Sequence, residues 1–111
     1  TSVLARFARL VIVVPVLEEL FWRGFLMRFL IKEDFTNVPI GAFQWRSFFI
    51  VALAFMLVHQ AADWPAALVC GIAYNLVAVR TGSLSACILA HAVTNLGLGI
   101  YIMSTRQWGF W

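Results

Sequence analysis

A chain of 111 residues suffices for one domain, and this one is 63% hydrophobic with only 12% charged residues, against roughly 45–50% and about 25% in soluble globular domains. Those proportions exclude a disordered segment, which is apolar-poor and charge-rich, and they place the chain among membrane proteins. The net charge of +3 comes from scattered residues, with no basic stripe interleaved with aromatics; that excludes a nucleic-acid partner and suits contact with anionic lipid head groups.

Residues 1–111 read as one domain with four apolar stretches in succession. The first runs from about Val3 to Ile31 and is long enough that it must tilt or protrude. Arg6 and Arg9 precede an apolar run, but no small-residue cleavage site closes it, so no signal peptide is read. Because the chain begins at Thr1, the expectation is a domain excised from a larger protein. Lys32 to Gly41 is a polar connector with Pro39 and Gly41 as breakers. The second stretch, about Phe43 to Ala62, has the ~20 residues a helix needs to cross hydrocarbon. Asp63 then reads as an N-cap, with Pro65 in the following first turn. The third stretch, about Pro65 to Val79, is short for a crossing. Gly82 reads as a helix stop and Ser83 as the next N-cap, before a fourth stretch from about Leu84 to Met103. Short connectors make consecutive helices antiparallel neighbours, so an all-α, polytopic bundle of four transmembrane helices is expected. Trp45, Trp64, Trp108 and Trp111 fall at segment ends, as an interfacial aromatic belt would. Arg28, Lys32, Arg46 and Arg80 on one side against Arg6, Arg9 and Arg106 on the other do not decide an orientation. Cys70 and Cys87 lie in apolar segments without CxxC spacing and read as small buried hydrophobes.

Glu18, Glu19, Arg23, His59, His91 and Asn95 stand inside these apolar stretches. An ionisable group at the bilayer centre costs at least ~2.5–3.5 kcal/mol, so such residues face the bundle interior and mark function by default. Taken singly, most have a structural explanation. Glu19 and Arg23, four apart, share a helix face and pair; His91, Asn95 and Asn75 would each serve as interhelical hydrogen-bond glue; His59 could be interfacial. Arg28, Lys32 and Arg80 read as interfacial anchors. Taken together, one carboxylate, two imidazoles and one amide converging from three helices point to a site. Glu18 projects about 100° from Glu19 and is free for other work.

Hydrolysis by an activated water fits this group. Glu18 would be the general base, His59 its partner in holding the water, and His91 with Asn95 the oxyanion donors, four residues apart on one helix face. Glu19 and Arg23 would brace the first motif and Phe55 would pack beside the site. A Cys87–His91 dyad and a Glu18/His59/His91 zinc site are weaker templates; HExxH is absent. No cofactor or metal is expected. Straight helices would leave His59 and His91 at depths differing by roughly 10 Å at 1.5 Å per residue, a gap that tilt or a later start of the second helix would close.

The motifs EExxxR (Glu18 to Arg23), FxxxH (Phe55 to His59) and HxxxN (His91 to Asn95), in this order, resemble the CAAX protease and bacteriocin-processing family, also called Abi or type II CAAX prenyl endopeptidase-like proteins. The stretches EELFWRGFLMR and RTGSLSACILAHAVTN also resemble its bacterial subgroup associated with exosortase systems. The resemblance implies a glutamate-type, metal-independent intramembrane endopeptidase of about eight helices, of which this chain would hold four. It implies the same roles for Glu18, His59, His91 and Asn95. It further implies membrane lipids and a membrane-associated protein or peptide, with or without a lipidated C-terminus, as partners, and a bacterial plasma membrane rather than the endoplasmic reticulum. Two rivals accompany this reading: a non-catalytic binding or immunity module on the same fold, and a zinc-dependent membrane hydrolase. A soluble helical bundle is a third.

Overall fold

The computed structural model describes residues 2–105, which form an all-helical bundle. Its first helix, α1 (residues 3–29), alternates α-helical turns at Val3–Ala8, Val14–Glu19 and Met27–Phe29 with π-helical turns at Arg9–Val13 and Leu20–Leu26. Then follow α2 (Trp45–Leu57), α3 (Trp64–Thr81) and α4 (Leu84–Thr105). Short 3-10 turns at Phe35–Asn37 and Ala61–Asp63 lie in the connectors.

Several boundaries differ from those the hydropathy suggests. α2 has 13 residues instead of about 20, so His59 lies beyond the helix. The cause is local: the His59 backbone N–H reaches back to Met56 O at 3.1 Å, and its ring Nδ1 sits 2.6 Å from Phe55 O. Both contacts tighten the chain out of the α-helical path. α3 is longer than expected, at 18 residues. Among the described residues, α3 with its leading turn and α4 are long and apolar enough to cross a membrane, and α2 is a shorter apolar helix. The caps around the α3–α4 turn are as read. Gly82 takes φ 59° and donates its N–H to Ala78 O, and Ser83 Oγ accepts from Ala86 N. Asp63 occupies the N-cap position of α3, yet its side chain makes no capping hydrogen bond. Trp45 and Trp64 open their helices; Trp108, Trp111 and Arg106 lie outside the described residues.

The charge distribution is inverted relative to a soluble protein. Glu19 and Arg23 are fully buried, whereas Leu17, Val69, Leu89 and Val93 are more than half exposed. A soluble bundle would hide the leucines and hydrate the ions; lipid reverses both preferences. α1 runs antiparallel along α4, with matched contacts at Gly24–Leu84, Glu19–His91, Leu10–Asn95 and Phe7–Gly99. A Cβ on Gly99 would sit 2.5 Å from the Phe7 ring, so the glycine permits this close approach. Gly41, at φ 80°, seats the α1–α2 connector on the end of α3, where a Cβ would lie 1.8 Å from Ala78 O. Arg28, expected as an interfacial anchor, ties that connector down by donating to Val38 O and Gly24 O.

Candidate active site

A buried polar cluster joins all four helices. Arg23 donates through Nη1 to Glu19 Oε2, through Nε to Asn75 Oδ1 and through Nη2 to Gly71 O, each at 2.9 Å. Asn75 in turn donates to Phe48 O at 2.8 Å. The fork geometry of the guanidinium uses all three of its nitrogens, and the Phe55 and Tyr74 rings each lie 5.3 Å from its carbon. Gly71 makes room for this: a Cβ there would press on Phe55 and Ala52 at 3.2–3.4 Å. The pairing of Glu19 with Arg23 is as their i, i+4 spacing implies, and Asn75 makes the interhelical hydrogen bonds expected of it.

The second partner of Glu19 is not foreseeable from spacing. His91 Nδ1 lies 2.7 Å from Glu19 Oε2, across 72 residues of sequence. A carboxylate oxygen only accepts here, so Nδ1 carries the proton and Nε2 is the nitrogen left for other work. Tyr74 stacks on the same imidazole, with centroids 4.8 Å apart and planes at 20°. The other oxygen of Glu19, Oε1, is buried and takes no hydrogen bond from a described residue.

His59, His91 and Asn95 line one cavity of about 250 Å³, together with Phe55, Asp63, Cys70 and Tyr74. The two histidines thus reach one cavity despite the anticipated difference in depth. The Phe55 ring contacts both imidazoles, 4.8 Å from the His59 ring and 6.1 Å from that of His91. Phe55 O can only accept, so His59 also donates from Nδ1 and keeps Nε2 for the cavity. Trp64 Nε1 donates to His59 O at 3.0 Å and fixes the backbone of this turn.

Asn95 is held by a defect in α1 that a proline creates. The Val14 N–H bonds Arg9 O, five residues back. Continuing that pattern would give Leu10 O the N–H of residue 15, but Pro15 has none. Asn95 Nδ2 supplies the missing donor to Leu10 O at 2.9 Å. The amide nitrogen carries two hydrogens, so one remains after this bond.

Glu18 is half-buried and makes no hydrogen bond or ion pair with another described residue. It is not among the residues that line the cavity. It lies four residues before Trp22, whose ring meets Phe55 edge-on at 5.8 Å. Cys87 directs its thiol to Tyr74 O, not to His91. Among the described residues no three His, Cys, Asp or Glu side chains are grouped to hold a metal ion. Sequence reasoning passed over Asp63, Cys70 and Tyr74 as site residues. For Tyr74 a signal existed: the small residues Ala67, Gly71 and Ala78 mark the buried stripe of α3 on which it sits.

Compared with known proteins, residues 1–97 match the family described as type II CAAX prenyl endopeptidase, Rce1-like. No curated protein and no solved structure matches the chain.

Proposed function

Since the chain belongs to the Rce1-like type II CAAX prenyl endopeptidase family, a membrane-integral protease family acting on membrane-associated prenylated proteins, we propose that it cleaves a peptide bond near the lipidated C-terminus of such a substrate by glutamate-activated water, without a metal. The observation that carries this reading is that His59, His91 and Asn95 line one and the same cavity. Glu18 takes the proton from the attacking water and returns it to the amine nitrogen as the tetrahedral intermediate collapses and the C–N bond breaks. His59, proton-bearing at Nδ1 and with Nε2 as acceptor, holds that water. As the tetrahedral intermediate forms, the oxyanion donors are Asn95, through the remaining hydrogen of Nδ2, and His91, through Nε2 when that nitrogen carries a proton, with Glu19 accepting from Nδ1 behind the ring. Glu19, Arg23 and Phe55 position these groups without touching the reacting atoms. We place the protein in a bacterial plasma membrane.

The test is cleavage of an internally quenched peptide ending in a prenylated cysteine and three further residues, with the protein in lipid nanodiscs and the product mapped by mass spectrometry. One cut near the modified cysteine, unaffected by a metal chelator, is expected; an intact peptide, or loss of cutting on chelation, overturns the proposal. Asn95→Ala should lower kcat by about 10²–10³, the usual cost of one oxyanion donor. Pro15→Ala should also lower it, by about 10–100-fold, because an N–H at residue 15 competes with Asn95 for Leu10 O and lets the amide drift. KM should stay near wild type in both.

A further inference from the structure

Asp63 holds the N-cap position of α3 without capping it. Capping is the ordinary use of an aspartate there and stabilises by about 0.5–2 kcal/mol. Asp63 instead is one of the residues that line the cavity with His59 and His91; it is half-buried, and its carboxylate makes no hydrogen bond or ion pair with another described residue. Among the described residues, no lysine or arginine lines that cavity, and Asp63 is its only carboxylate-bearing residue. The remaining walls are largely apolar, with Phe55, Ala66, Ala67 and Leu98 contributing. A lone anion against such walls attracts a cation more strongly than it would in water and penalises a second anion by the same field. Asp63 also follows His59 by four residues, through one tight turn, and both line the same cavity.

We infer that Asp63 is a specificity determinant that takes a cationic side chain, lysine or arginine, of the peptide residue flanking the bond to be cut. This rests on the proposed peptidase reading for its chemistry, but the binding preference exists independently of turnover. A half-buried ion pair with a charge-assisted hydrogen bond is worth about tenfold in affinity or somewhat more.

The test uses prenylated peptides identical except for Lys, Gln or Glu at each residue flanking the cut, assayed in nanodiscs. At one position the order Lys over Gln over Glu should appear in kcat/KM, with at least about tenfold between Lys and Gln, carried mainly by KM. Asp63→Asn should collapse that order to within about twofold, and Asp63→Lys should reverse it in favour of Glu. Wild-type cleavage indifferent to charge at every position, or an order that survives Asp63→Asn, overturns the inference and leaves the peptidase reading standing. A second arm measures binding of the same peptides to Glu18→Gln protein by fluorescence anisotropy. If no peptide is cut but Lys peptides still bind more tightly in an Asp63-dependent way, the peptidase reading falls and the cation site remains. Equal binding of Lys, Gln and Glu peptides overturns the site.

Discussion

Arg23→Met should destabilise the bundle by about 3–5 kcal/mol, the cost of stripping one partner from a buried ion pair. The side chain is fully buried and donates to three acceptors, Glu19, Asn75 and Gly71 O. Methionine fills much of the volume but donates to none of them, leaving a buried carboxylate, an amide oxygen and a carbonyl short of partners. Unfolding in mixed detergent, followed by tryptophan fluorescence, should show an earlier midpoint, and much of the protein should aggregate on extraction. The Arg23→Met/Glu19→Gln double variant should recover part of the loss, because the uncompensated charge is then gone. An unchanged midpoint in the single variant would mean that the cluster does not hold the helices together.

Glu18→Gln should lower kcat by about 10²–10⁴, the usual contribution of a general base, with the unfolding midpoint unchanged. The two halves of that expectation have separate causes. Glutamine cannot accept the proton from water, and Glu18 makes no hydrogen bond among the described residues whose loss would weaken the fold. Glu19→Gln should behave in the opposite way. Its carboxylate joins Arg23 to His91 at 2.9 and 2.7 Å, so its neutral analogue should lower stability first and activity through the displaced imidazole. A Glu18→Gln protein with wild-type turnover, beside a well-folded but inactive Glu19→Gln protein, would move the base from the first glutamate to the second.

The sequence by itself determined the class of the protein. Hydropathy sets helices against lipid, and ions stranded in those helices must turn inward whatever the details of packing. It also determined contacts within one element: the i, i+4 pairing of Glu19 with Arg23, the Gly82 and Ser83 caps, and Phe55 beside His59 all follow from helical or turn geometry over a few residues. Only the tertiary structure decided which glutamate reaches His91, that α2 stops short and that His59 and His91 share a cavity, that Pro15 leaves a carbonyl for Asn95, and that Asp63 lines the cavity and forgoes its cap. Each of these joins residues far apart in the chain or depends on a one-residue shift of register. A π-turn or a lost N–H rotates every later side chain by tens of degrees, and periodicity averaged over a segment does not register such a shift.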